Sequence, residues 1–272
     1  MKKCAAIQMA SSPHVDANLI EAERLIAEAS QAGAELLVLP ENFALMGMTA
    51  FDKLEQCESD GEGVIQQFLA EMARRHAVWI VGGTIPIEAS AAGKVRATCL
   101  VYDAAGKRVA RYDKIHLFDV DVPGTDEQYR ESDTIEPGTR VSVFETPFGR
   151  LGLGICYDLR FPEMFRRMAS AGVDLIALPA AFTANTGAAH WEVLVRARAI
   201  ENLCYVVAAN QGGFHMNGRQ TWGRSMIVDP WGKVLAEKTS GSGVALAAID
   251  PESLVRVRGS FPVLKHRRLE CN

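Results

Sequence analysis

Two stretches decide the fold: AGAELLVLPENF, residues 32–43, and AGVDLIALPAAF, residues 171–182, agree at six of twelve positions. In each, a helical pattern stops at Ala-Gly, glycine being suited to the left-handed residue that ends a helix, and an apolar run then closes on Leu-Pro. Around the first copy, CAAIQMA (4–10) reads as a strand, and Leu19, Ala22, Ile26 and Ala29 form a helical stripe that stops at Gly33. Val64, Ile65, Phe68, Leu69 and Met72 mark a second amphipathic helix, and WIVGGTIP (79–86) a buried strand. Further strands are predicted at 95–103, 107–112, 140–145, 150–155, 174–179, 204–209, 224–228, 233–237 and 244–249, with helices near 161–171 and 188–202. A second echo pairs YDAAGK (102–107) with VDPWGK (228–233), Asp-x-x-Gly-Lys turns that fit hairpins. Alternating helices and strands with internal duplication predict an α/β protein, a pseudo-twofold αββα sandwich formed as a single domain over residues 1–272.

Composition narrows what such a protein does. Hydrophobic residues are 48% and charged residues 23% of 272, enough apolar material for a core and too much for disorder. Lys plus Arg is 29 against 33 for Asp plus Glu, a net charge of −4 without a dense basic block, which argues against a nucleic-acid partner. Apolar runs are too short to span a bilayer, and too few apolar residues precede Gln8 for a secretory signal. The six cysteines lack C-x-x-C spacing, which disfavours zinc and a disulfide framework and fits reduced thiols in a cytoplasm.

Three residues stand at predicted strand ends. Glu41 follows LLVLP, and in the second copy its place is taken by Ala180, so the turn itself does not require a polar residue. Lys114 closes RVARYDK, and Cys156 lies between the glycine-spaced strand of RLGLGICYDLRFPE and a predicted helix. Singly, each has a bland reading: a solvated charge, a snorkelling lysine, a core thiol. Together they satisfy a mechanism. A thiol nucleophile needs a base, which Glu41 supplies, and Lys114 favours the thiolate and stabilises a tetrahedral oxyanion. The same glutamate then protonates a departing amine and activates water, and neither metal nor cofactor is called for. The stretch 115–138 shows no period and is too long for an ordinary connection, a mark of a functional loop.

PENF with Glu41, RYDKIHLFD with Lys114 and GLGICYDLRFPE with Cys156, in this order, resemble the signature blocks of the nitrilase superfamily, the carbon-nitrogen hydrolases. The resemblance runs over essentially the whole chain. It implies a Glu-Lys-Cys triad on the αββα sandwich, an additional catalytic glutamate at Glu131 in YRES, and assembly into a homodimer or higher homo-oligomer. HLFDVDVPG, RES, CYDLRFPE and AHWE are most similar to the branch that hydrolyses terminal amides of carboxylate-bearing 2-oxo acids, with deaminated glutathione amidase and omega-amidase. By that similarity, Arg160 holds the substrate carboxylate, Phe182 and Thr186 line the pocket, the Tyr157 amide donates to the oxyanion, and His116 is a hydrogen-bonding neighbour of the site. Arg160 as a structural ion-pair partner of Asp158 or Glu163 is the competing reading. GRSM, with Arg224, departs from the GHSM expected in this branch and leaves the preferred leaving group open.

Other classes fit less well. A Cys-His hydrolase or glutamine amidotransferase wants a G-x-C-x-G elbow, and Asp158 stands at the second glycine. Gly149, Gly152 and Gly154 do not form G-x-G-x-x-G. His190, Trp191, Leu194, Arg196, Arg198 and Glu201 read as core, interface and ion pairs of one helix, His215 as a loop residue beside the site or in solvent, and KHRRLE (265–270) as a tail. A nitrilase, another aliphatic amidase or carbamoylase, or a non-catalytic scaffold on the same fold are the alternatives.

Overall fold

The computed structural model describes residues 1–124 and 126–269; Cys271 and the last residue of the KHRRLE cluster lie outside them. Strand alternation sorts each side chain to one of two clusters. Cys4, Ala6, Leu36 and Val38 join a cluster with Leu151, Leu153 and Ala177 between two sheets. Ala5, Ile7, Leu37 and Leu39, the intervening residues, meet Leu25 and Ile26 of the helix Val15–Gln31 and Leu69 and Met72 of the helix Val64–His76. A sheet buried on both faces reads as a continuous apolar run, which is why LLVL carries no polar alternation.

The first sheet runs Gly243–Ile249, Lys2–Gln8, Leu36–Val38, Trp79–Val81, Val95–Tyr102, Arg108–Asp113, and the second Ser142–Thr146, Gly149–Leu153, Leu175–Ala180, Tyr205–Asn210, Ser225–Val228, Val234–Lys238. In both, three inner strands are parallel, an antiparallel strand borders them on one side, and an antiparallel hairpin lies on the other. The repetition reaches individual bonds. Glu35 N–H donates to Lys3 O at 2.9 Å and Asp174 N–H to Arg150 O at 2.8 Å. In the two hairpin turns, Asp103 Oδ1 accepts from the amides of Ala105 and Lys107, and Asp229 Oδ1 from those of Trp231 and Lys233. The pseudo-twofold sandwich expected from the sequence is the architecture found.

The structure departs from the predicted elements in several places. WIVGGTIP is interrupted: Trp79–Val81 and Ile85–Glu88 pair with the same strand, Val95–Tyr102, with a one-residue shift between them. Gly83 sits there at φ +56°, and a Cβ on it would lie 2.2 Å from Pro40 O, so glycine permits both the bulge and the contact. The helix predicted from 188 begins at Ala184, capped by the Thr183 hydroxyl. The aperiodic stretch holds a two-stranded ribbon, Asp119–Asp121 with Gln128–Arg130, followed by a 3-10 turn, Glu131–Asp133. Finally, the helix Pro251–Ser260 and the hairpin Gly212–Phe214 with Gln220–Trp222 were not among the predicted elements. Among the described residues, no helix is long and apolar enough to cross a membrane.

Candidate active site

Each of the three strand-end residues is held by its backbone before its side chain is considered. Past the strand Leu36–Val38, Asn42 N–H donates to Thr84 Oγ1 at 2.8 Å and Glu41 O accepts from Gln211 Nε2 at 3.0 Å, a bond that ties the two halves together. Lys114 follows the strand Arg108–Asp113, with its N–H on Ala97 O and its carbonyl accepting from Gly138 N–H. Cys156 opens a 3-10 turn, Cys156–Arg160, at φ +46°. A non-glycine residue there is strained and persists only where its surroundings over-determine it. Here Asp158 does so: its fully buried carboxylate accepts from Ile155 N–H at 2.8 Å, Tyr112 Oη–H at 2.7 Å and His116 N–H at 3.1 Å. Arg198 braces the turn from behind, with Nε and Nη2 donating to Leu159 O.

The side chains converge. Lys114 Nζ, 1% exposed, donates to Glu41 Oε1 at 2.7 Å and to both oxygens of Glu131 at 2.9 and 2.8 Å. Glu131 Oε2 also accepts from Phe118 N–H at 2.8 Å, which fixes the loop carboxylate. Burial alone would push the Lys114 ammonium down, but Glu131 and Glu41 outweigh it and the net shift is upward: this lysine stays charged. Glu131, although burial opposes it, is held below the usual carboxylate range by Lys114 and Lys53. The Cys156 thiol moves up, first through burial and then through the Glu41 carboxylate, against the smaller opposing pull of Lys114 and the Ala181 backbone N–H. At rest the sulfur therefore keeps its proton beside a carboxylate positioned to take it.

Two recesses meet at Cys156. A cavity of about 480 Å³ is lined by Glu41, Lys114, Glu131 and Cys156 together with Lys53 and Arg219. A second, narrow recess is formed by Phe118, Tyr157, Arg160, Phe182 and Thr186. Arg160 stacks there, its guanidinium carbon 5.1 Å from the Phe182 ring centroid and 5.9 Å from that of Tyr157, with Nη1 3.1 Å from His190 Nδ1. It forms no salt bridge among the described residues, and Asp158 is engaged elsewhere. Burial lowers the Arg160 pKa, so an anion arriving in this recess meets a poorly solvated cation.

Glu41, Lys114, Glu131 and Cys156 are thus brought together, and Tyr157, Arg160, Phe182 and Thr186 form the neighbouring wall. His116, expected as a hydrogen-bonding neighbour of the site, bonds to the nucleophile turn and is not placed to bind substrate. It lines neither recess: Nδ1 is 2.7 Å from Asp158 Oδ1 and the ring stacks on Phe161 at 3.7 Å, so its polar edge is spent on the nucleophile turn. Arg224 lines neither recess; it pairs with Glu237 at 2.6 Å and approaches Glu192 at 3.5 Å. His215 is buried between Ser11 O and Thr221 Oγ1. The sequence reading missed Lys53 and Arg219. Lys53 lies in a short charged helix, Asp52–Glu55, that gives no signal, whereas Arg219 follows Asn217-Gly218, a dipeptide that marks hairpin turns.

Comparison with known proteins agrees with this construction. The carbon-nitrogen hydrolase family model matches residues 3–258. The chain is 47% identical to "Deaminated glutathione amidase" of Synechocystis over 97% of both chains. It is 40% identical to "Omega-amidase NIT2-A" of Xenopus laevis, over 98% of this chain and 95% of that protein. Among solved structures, Nit3 of Saccharomyces cerevisiae, described as a member of branch 10 of the nitrilase superfamily, superposes with a TM-score of 0.88 at 32% identity, over 98% of this chain and 97% of that one.

Proposed function

The chain belongs to the carbon-nitrogen hydrolase family and is an amidase; from that premise we propose that it cleaves the amide of a small carboxylate-bearing 2-oxo acid through a Cys156 thioester. The observation that carries the mechanism is Lys114 Nζ standing 2.7 Å from Glu41 and 2.8 Å from Glu131 in a cavity that also holds the Cys156 thiol. Glu41 takes the thiol proton as sulfur attacks the amide carbon. Charge then develops on the carbonyl oxygen, where the Lys114 ammonium and the Tyr157 amide, the second residue of the 3-10 turn, stabilise it. Glu41 returns the proton to the nitrogen, the amine leaves, and a water deprotonated by Glu41 hydrolyses the thioester. Glu131 holds the ammonium in place with a second carboxylate and leaves Glu41 free to cycle.

Arg160 gives the substrate its acyl end. Its planar fork pairs with a carboxylate through two parallel N–H bonds, and no carboxylate of the described chain occupies that role. The relatives named for deaminated glutathione and omega-amide hydrolysis support the same substrate class. The unpaired cysteines among the described residues suit the reducing cytoplasm in which we place this activity. Release of ammonia or amine by the wild type from 2-oxoglutaramate, deaminated glutathione, a simple aliphatic amide and a nitrile, beside Cys156→Ala, tests the proposal. Turnover of a 2-oxo amide that vanishes in the variant is expected; preferential turnover of the nitrile, or undiminished turnover by the variant, overturns it.

A further inference from the structure

The AHWE block, residues 189–192, lies in the helix Ala184–Asn202 and contributes no side chain to either recess. Thr186 of this helix does line the recess of Arg160, and His190 follows it by four residues, one turn further on the same helix face. His190 Nδ1 stands 3.1 Å from Arg160 Nη1. A guanidinium has five N–H donors and no acceptor, so the arginine donates and the imidazole receives on an unprotonated Nδ1. A histidine bonded in this way is neutral and carries its hydrogen on Nε2. The next residue, Trp191, is fully buried, donates Nε1–H to Arg224 O at 2.7 Å and packs its ring 4.9 Å from that of Phe182, on which Arg160 lies. Consecutive residues of one helix thus hold the guanidinium at its edge and, through Phe182, at its face.

What this hydrogen bond achieves follows from the donors it leaves. Nη1 is engaged by His190, whereas Nε and Nη2 have no partner among the described residues. These two nitrogens form the side-on edge of the fork, whose parallel N–H bonds match the two oxygens of a carboxylate. An arginine with no carboxylate to hold it samples many rotamers, and a substrate that binds it must freeze them. Held at Nη1 by His190 and stacked on Phe182 and Tyr157, this one is ordered before the substrate arrives. His190 is itself exposed and lines neither recess, so it reaches the substrate only through Arg160, and its replacement opens no cavity in the core.

We infer that His190 is a positioning residue for the acyl end: by accepting from Nη1 it presents the Nε and Nη2 edge of Arg160 to the substrate carboxylate, and so sharpens the preference for carboxylate-bearing amides. This rests on the reading of Arg160 as the residue that holds that carboxylate. Steady-state kinetics with 2-oxoglutaramate test it. His190→Leu, which has no acceptor, is expected to raise KM by about three- to tenfold with kcat unchanged, the pattern of lost ground-state binding. His190→Asn sets an amide oxygen close to the place of Nδ1 and is expected to recover most of the wild-type KM. In a double-mutant cycle read as kcat/KM, His190→Leu is expected to add no further loss to Arg160→Met, because its effect passes through the guanidinium. A KM unmoved by His190→Leu, a fall in kcat in its place, an equal defect in His190→Asn, or a loss that adds in full to that of Arg160→Met overturns the inference while the substrate reading stands. A wild type that does not turn over 2-oxoglutaramate overturns the substrate reading and the inference with it.

Discussion

At the ends of the two matching strands the halves of the molecule part company. Glu41, 3% exposed, stands where the second half has Ala180; Lys114, buried, follows a hairpin whose counterpart ends at the exposed Thr239. The strand Gly149–Leu153 leads through Gly154 and Ile155 to Cys156, whereas its equivalent, Lys2–Gln8, ends in buried structure with no nucleophile. Repetition supplies strand ends at fixed places; chemistry appears where the repetition is broken. The acid-base glutamate and the lysine come from the first half and the nucleophile from the second, so neither half alone holds a site.

Making the halves alike is the most damaging experiment. Glu41→Ala copies the second strand end onto the first and should lower kcat by at least about 10⁴-fold with the fold intact, read from amine release and circular dichroism. Removing the shared cation comes next. Lys114→Met leaves two carboxylates buried together and should cost about 3–5 kcal/mol in urea unfolding at pH 8. The sign of its pH dependence follows from Glu131. In the wild type this group is held below the ordinary carboxylate pKa, so its contribution is present above that value and lost as pH falls through the folded pKa. Without Lys114, burial is free to raise the Glu131 carboxyl, and the deficit should shrink from pH 8 toward pH 5; a deficit constant over that range contradicts the argument.

Smaller effects test what positions the site. Gly83→Ala drives a Cβ to 2.2 Å from Pro40 O at a positive φ and should cost about 1–3 kcal/mol, together with a fall in kcat because the Glu41 turn moves; unchanged stability would show the bulge to be tolerant. The least effect is that of His215, whose pKa burial lowers from 6.5. Below that value the unfolded chain binds the extra proton, so stability falls with acidification, by at most about 1.4 kcal/mol per pH unit for one group. His215→Gln should flatten the slope between pH 7 and pH 5.

What was legible in the sequence follows from where the determinants lie. Leu36–Val38 and Leu175–Ala180 are buried on both faces and bounded by Gly and Pro, so local pattern suffices for them. The break at Gly82–Gly83 was not legible, because it depends on Pro40, distant in sequence. The helix Pro251–Ser260 had a signal that went unused: Asp250 caps it and proline occupies its first position. Glu41, Lys114 and Cys156 were legible as strand-end residues. Glu131 needed the family resemblance, since nothing in an aperiodic loop tells which carboxylate turns inward. Lys53 and Arg219 became visible only when folding brought residues from a short helix and a hairpin tip to one cavity.

The pairing of Gly243–Ile249 with Lys2–Gln8 also bears on biosynthesis. The second sheet borders its parallel strands with Ser142–Thr146, immediately upstream of its partner. The first sheet waits for a strand made more than 200 residues later, so during translation one edge of Lys2–Gln8 stays unpaired long after Leu36–Val38 can cover the other. Chaperone dependence of this chain in the cell should therefore originate in the strand Lys2–Gln8, although its Cys4–Gln8 portion is fully buried in the finished protein.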